Sequence, residues 1–143
     1  MAAAMELKFT ADALAAYLDD VFHQAKGAAE IKALDPGFAR LHLPTDARHL
    51  RPGGVLSGPT LFLAVDYAFY AAVLGVIGPH PMAVTANVSI NFMRPAPPAD
   101  LIAEARILKL GARLAFGDVT VTVEGANDPV AHAAVTYALP ERD

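Results

Sequence analysis

The amino-acid sequence predicts an α+β fold in which an antiparallel sheet wraps around one long apolar helix. Three observations carry that reading. From Leu61 to Ile77 nearly every side chain is apolar, small or aromatic, and Asp66 is the only charge. From Val84 to Phe92, Val84, Ala86, Val88, Ile90 and Phe92 alternate strictly with Thr85, Asn87, Ser89 and Asn91. That period of two marks a strand with one apolar and one polar face. The rest of the chain falls into short segments divided by turn residues, in the order helix, two strands, long helix, four strands.

Each element has a local cause. Thr10 reads as an N-cap with Asp12 in the first turn, where the helix dipole favours an acid. Leu14, Leu18, Val21 and Phe22 then recur at helical spacing, giving a first helix to about Gln24. Strands near Ala29–Leu34 and Phe38–Leu43 flank Asp35-Pro36-Gly37, a sequence with turn chemistry. Pro44 to Leu56 reads as a loop containing Pro52-Gly53-Gly54. Ser57, Gly58 and Pro59 make the entrance of the long helix, since Ser caps and Pro suits the first turn. Gly78-Pro79-His80-Pro81 stops it. After the Val84–Phe92 strand and Arg94-Pro95-Ala96-Pro97-Pro98 come strands at Leu101–Leu110 and Leu114–Glu124, joined at Gly111-Ala112. A last strand at about Val130–Leu139 follows the turn Asn127-Asp128-Pro129.

At 143 residues the chain suits a single domain, with an ordered core over about residues 9–139. Hydrophobic residues are 55% and charged residues only 18%, so the chain has little charge with which to wet a surface and is expected to hide apolar area in an oligomer. A net charge of −4 and a pI near 5.6 argue against nucleic acid as a partner. With no cysteine, disulfides, zinc–thiolate centres and cysteine nucleophiles are excluded. MAAAMELKFT lacks a basic segment followed by an apolar run, so a cytoplasmic location is expected. Leu61–Ile77 is about long enough to cross a membrane. Its central Asp66 would cost roughly 2.5–3.5 kcal/mol there, and the strands after it alternate as a water-facing sheet does. The expectation is a buried helix and no membrane partner.

A lone acid in such a helix has a partner, a task, or a solvent-facing position. Gly58 stands at the helix N-terminus, where free N–H groups and the dipole favour developing negative charge, an oxyanion-hole location. Asp66 suits a general base on water or a nucleophile on a carbonyl. The two lie eight residues apart, about 12 Å of rise on one helix. One reacting carbon cannot touch both from a single helix. A second, antiparallel copy of the helix can bring its Gly58 opposite this Asp66, so the geometry asks for a dimer with shared sites. Arg94 and Arg113, at strand ends, suit phosphate groups. His23, His42, His49, His80 and His132 show no metal-ligand spacing. No phosphate-binding glycine loop, dinucleotide fingerprint or nucleophile elbow occurs.

The chain resembles the hotdog-fold acyl-CoA thioesterases, in particular the phenylacetate-pathway (PaaI-like) branch. That branch carries His or a similar residue, one residue, Asn, two residues, Gly, two residues, His-Gly-Gly, and an acid eight residues after the first Gly of that triplet. His49, Arg51, Gly54, Ser57, Gly58, Pro59 and Asp66 fall on those positions with the spacing kept, and Val88–Ala96 resembles the family strand after the helix. The family Asn position holds Arg51 and the His position holds Ser57. The resemblance implies a hotdog fold, a homodimer or tetramer, and hydrolysis of an acyl-CoA to a carboxylic acid and coenzyme A, with no cofactor besides the coenzyme A of the substrate. It implies Asp66, Gly58, Ser57 and Thr85 as catalytic residues, Thr85 placing the attacking water. Substrate contacts fall to His49, Arg51, Gly54 and Pro59 of the motif, with Asn87, Arg94 and Arg113 beside them, and to no metal. Phe62, Tyr67, Phe69 and Tyr70 supply aromatic bulk for the core or for a medium-chain or aromatic acyl group. A non-catalytic acyl-CoA-binding protein of the same fold is the alternative, kept open by Arg51 and Ser57. A hydroxyacyl dehydratase fits less well, because His49 is not on the helix.

Overall fold

In the computed structural model, which describes residues 5–142, the long helix lies in the concave face of a six-stranded sheet. Residues 1–4 of the segment read above for targeting lie outside the described range. Helix α1 spans Ala11–Val21, strands β1 and β2 span Glu30–Asp35 and Phe38–Leu43, and a small hairpin pairs β3 (Leu50–Arg51) with β4 (Val55–Leu56). Helix α2 runs from Gly58 to Ile77, followed by β5 (Val84–Phe92), β6 (Leu101–Leu110), β7 (Leu114–Val123) and β8 (Pro129–Ala138). The sheet order is β1-β2-β6-β7-β8-β5, every pair antiparallel. The chain leaves β2, crosses the sheet as α2 and returns at the far edge as β5.

The local signals act as expected at most element ends. Thr10 accepts a hydrogen bond from the Ala13 N–H at 3.1 Å and starts α1. That helix stops at Val21, and a 3₁₀ turn at His23–Ala25 takes up the residues expected to extend it. Pro36-Gly37 turns the chain between β1 and β2 with Gly37 at φ +76°, a backbone state glycine adopts without strain. Helix α2 passes every length and apolarity test for a membrane span, yet it is the core helix, with most of its residues buried by the sheet.

Packing explains one glycine in mid-strand. The Phe69 ring is fully buried and lies over Gly117 of β7. A Cβ at Gly117 would stand 2.6 Å from Phe69 Cε1 and 2.0 Å from the Arg106 carbonyl oxygen, so only glycine lets helix and sheet meet there.

The structure corrects the strict alternation of the Val84–Phe92 strand. The β5–β8 register shifts between Thr85 and Asn87: Thr85 pairs with Tyr137, Asn87 with Thr136 and Val88 with Val135. This bulge leaves Ala86 as an extra residue and moves Thr85 onto the face shared with Val88 and Ile90, while Asn87 faces the other way. The apolar face is covered only in part: Val88 and Ile90 pack against the core, while Phe92 at its end is 53% exposed. Among the described residues β5 pairs with β8 alone, and Val84, on the other face, is 47% exposed.

Candidate active site

Asp66 sits half-buried on α2, where the helical repeat puts Leu63, Asp66, Tyr67 and Tyr70 on one face. That face forms one wall of a cleft of about 610 Å³, closed by Val21 and Phe22 at the end of α1 and by residues 81–85. Thr85 Oγ1 donates to Asp66 Oδ1 at 2.6 Å, and the Tyr137 hydroxyl donates to the same oxygen at 2.7 Å. Oδ2 has no hydrogen-bond partner among the described residues, and no basic side chain there pairs with Asp66. The acid thus has partners, but they are two hydroxyls rather than an opposite charge.

Tyr137 is the site residue that the sequence reading missed. It is 2% exposed, its ring packing between Phe69 and Tyr70. Burial, and next the charge of Asp66, push its phenol above the ordinary value, so it remains a donor. One signal was available. On β8 the alternation of Ala131, Ala133, Val135 and Tyr137 puts a hydroxyl on a buried face, where it needs a partner.

Aromatic side chains furnish the cleft. Phe22 stacks on Tyr67 with centroids 6.3 Å apart and meets Tyr70 edge-on at 6.5 Å. The Tyr70 hydroxyl donates to the Pro81 carbonyl at 3.0 Å and ties the following loop to the helix. Burial pushes the phenols of Tyr67 and Tyr70 upward, so both remain neutral. Of the aromatic residues expected at a pocket or core, Tyr67 and Tyr70 line the cleft, Phe69 is core, and Phe62 is open at the surface.

The motif residues other than Asp66 cluster at the start of α2 and are not in the lining of this cleft. The Ser57 hydroxyl lies 2.8 Å from Thr60 Oγ1 and accepts from the Thr60 N–H at 3.3 Å, so it is engaged in the helix cap. The His49 carbonyl accepts from the Ser57 N–H at 2.9 Å and from Thr60 Oγ1 at 3.2 Å. Its ring Nδ1 accepts from the Asp46 N–H at 2.9 Å. Arg51 is exposed and donates to the Pro52 carbonyl at 3.1 Å. Gly54, at φ +78°, turns the β3–β4 hairpin, and Pro59 is exposed in the first turn of α2. Gly58 lies against the Phe92 ring, at the opposite end of β5 from Thr85.

The expected phosphate ligands lie elsewhere too. Arg94 is 3.9 Å from Asp128. Arg113 lines a separate cleft with His80, Glu141 and Arg142. A third cleft shares Leu63 with the Asp66 cleft and presents Lys26, Arg48 and His49. There Arg48 pairs with Asp46 at 2.8 Å, and that pairing holds the Asp46 carboxyl down to about 2. The scattered histidines do meet acids in space. His42 Nε2 lies 3.0 Å from Asp100 and 3.8 Å from Glu124. The other Asp100 oxygen accepts from the Thr45 N–H, so this group braces the loop after β2, away from the Asp66 cleft.

The comparisons with known proteins agree with this architecture. A sequence profile of the thioesterase superfamily matches residues 53–130. A protein of Silicibacter sp. TM1040, provisionally named a thioesterase, has a crystal structure that superposes with a TM-score of 0.88 at 45% identity, over 96% of each chain. A single-site mutant of the phenylacetic acid degradation protein PaaI from Thermus thermophilus is 30% identical, with a TM-score of 0.71 over 83% of this chain and 98% of its own. A Streptococcus mutans protein solved with acetyl-CoA bound has the same fold, at a TM-score of 0.71 and 21% identity over 80% of this chain and 90% of its own. The profile match takes in all of α2 and β5 to β7, the stretch holding Gly58, Asp66 and Thr85. On that match the chain belongs to the thioesterase superfamily and is built on the hotdog fold.

Proposed function

We propose that this protein hydrolyses acyl-CoA thioesters to a carboxylic acid and coenzyme A, as the PaaI-like branch it resembles does. The observation that carries the reading is a carboxylate with one free oxygen in a cleft lined with apolar and aromatic side chains. Such a cleft suits an acyl chain, and the few polar groups converge at one point on its wall. The acetyl-CoA found in the Streptococcus neighbour supports the same ligand class.

In this reading a water stands between Asp66 Oδ2 and the thioester carbon. Its proton passes to Oδ2 as its oxygen bonds to carbon, and the carbonyl oxygen takes up the negative charge. The C–S bond then breaks, and the proton held by Asp66 returns to the thiolate. General-base assistance of this kind contributes about 10²–10⁴-fold. Direct attack by Asp66 would instead leave an acyl anhydride on the enzyme, and water attacking its Asp66 carbonyl would place heavy oxygen in that carboxylate, which the general-base route never does.

The oxyanion donor comes from the second subunit. In each chain Gly58 sits at the Phe92 end of β5, and Asp66 at the Thr85 end. Among the described residues the outer edge of β5 has no strand beside it. Antiparallel pairing of two such edges sets the Phe92 end of one strand beside the Thr85 end of the other. That brings Gly58 of the partner subunit toward Asp66 and builds two equal sites. The pairing also covers an open strand edge, which proteins otherwise protect.

Thiol release measured over a panel of acyl-CoAs, from acetyl through medium-chain to aryl-acyl, tests the proposal. Turnover with at least one ester is expected. Tight acyl-CoA binding with no release over the whole panel would overturn it in favour of the non-catalytic binding protein.

A further inference from the structure

We infer that Tyr137 is a positioning residue which, with Thr85, holds one oxygen of Asp66 so that the other oxygen alone meets the substrate. The inference rests on the reading of Asp66 as the base. Three elements converge on this carboxylate: α2 carries it, β5 brings Thr85 and β8 brings Tyr137. Both donors go to Oδ1, at 2.6 and 2.7 Å, the short range of hydrogen bonds to an ionised acceptor. An aspartate at an open cleft wall can otherwise rotate and present either oxygen. Two donors from different directions on one oxygen remove that freedom, and Oδ2 is left to accept a proton.

The two donors are not equivalent. Thr85 stands just before the bulge, where the β5–β8 ladder skips Ala86. Tyr137 stands on an inner strand, with its ring held by Phe69 and Tyr70. The phenol is therefore the rigid reference against which the carboxylate is set. Burial and the charge of Asp66 both keep the phenol protonated, so Tyr137 orients Asp66 without trading its own proton.

The test is a cycle of Tyr137→Phe, Asp66→Asn and the double variant, with thiol release measured per folded molecule on one acyl-CoA. Phe keeps the ring and deletes a single hydroxyl. In the Tyr137→Phe protein kcat is expected to fall about tenfold or more, with KM within about twofold of the parent. In the Asp66→Asn background the same substitution should cost kcat nothing further, because the phenol acts on the chemistry through the carboxylate; its second contact, a longer one of 3.1 Å to the Asp66 backbone carbonyl, is to the helix and not to the reacting oxygen. A merely structural tyrosine would lower the residual rate of Asp66→Asn by the same factor as in the parent, and that result overturns the inference. Unchanged kcat in Tyr137→Phe beside a crippled Asp66→Asn also overturns it, and leaves the base assignment standing. Full turnover in Asp66→Asn removes the base assignment and the inference together. Thr85→Val gives a second reading from β5: it should lower kcat, and adding Tyr137→Phe should lower it further than either alone. A pair no slower than Thr85→Val, with Tyr137→Phe alone at the parent rate, would mean that the phenol holds nothing.

Discussion

Replacing Asp66 by asparagine perturbs the chemistry with almost no change in shape. Both nearby hydroxyls donate to Oδ1, so an acceptor there keeps both bonds. The amide oxygen is expected in the Oδ1 place, which sets the NH₂ group in the Oδ2 place facing the cleft. Two hydrogen bonds survive but change from charge-assisted to neutral, a loss of about 1 kcal/mol each. Relief of a half-buried carboxylate with no basic partner offsets part of that loss. The melting temperature should stay within a few degrees of the parent. Chemistry fares differently, because an NH₂ group donates where the reaction needs a proton acceptor. A lost general base costs about 10²–10⁴-fold, or about 2.7–5.4 kcal/mol at 1.36 kcal/mol per decade. The cleft wall is otherwise intact, so acyl-CoA affinity should hold within about threefold. Thiol release followed with a chromogenic trap, beside melting curves and calorimetry on the same preparation, reads all three quantities. Turnover within about threefold of the parent, in protein that melts normally, would refute the mechanism.

Three further outcomes follow from the same geometry. Ser57→Ala removes the cap of α2 and should cost about 1 kcal/mol of stability, with kcat per folded molecule retained; a large drop in kcat at unchanged melting temperature would instead make Ser57 a substrate contact. Gly117→Ala drives a Cβ to 2.0 Å from a backbone oxygen and should destabilise by about 3 kcal/mol or more, seen as a lower midpoint in denaturant; a neutral result would mean that β7 and Phe69 move apart freely. Sedimentation at micromolar concentration should show a dimer, since Phe62, Leu63, Val84, Phe92 and Met93 are exposed around α2 and the open β5 edge; an active monomer would end the shared-site proposal.

Most of the fold is written in short-range signals. The Thr10 and Ser57 caps, the Pro36-Gly37 turn and the apolar run of α2 each involve residues close in sequence, and each element ends within a few residues of its expected place. The β3–β4 hairpin escaped because strands of two residues have no period to detect. The bulge at Thr85–Asn87 escaped for a different reason. A perfect alternation of side chains says nothing about the partner strand, and Ala86 shows as an extra residue of β5 only when the strand is laid against the unbroken run of β8.

The candidate site divides along the same line. Asp66 stood out because one charge in an apolar helix is a local anomaly, and Ser57 and Gly58 stood out as a helix entrance. What those residues meet is set by tertiary structure. Tyr137 lies 71 residues from Asp66 in the chain, and the period of β8 gives it the look of one more core side chain. Its hydroxyl and the lone acid are each a polar group in apolar surroundings, and each lacks a partner in its own element. Burial makes an unpaired polar group costly, so two such orphans on facing elements are the natural candidates to pair. The same reasoning reaches the β5 edge. Its unpaired backbone groups and exposed Val84 and Phe92 are a demand that nothing among the described residues satisfies. With Asp66 at one end of that edge and a helix N-terminus at the other, the proposed dimer would meet both demands with one symmetric contact.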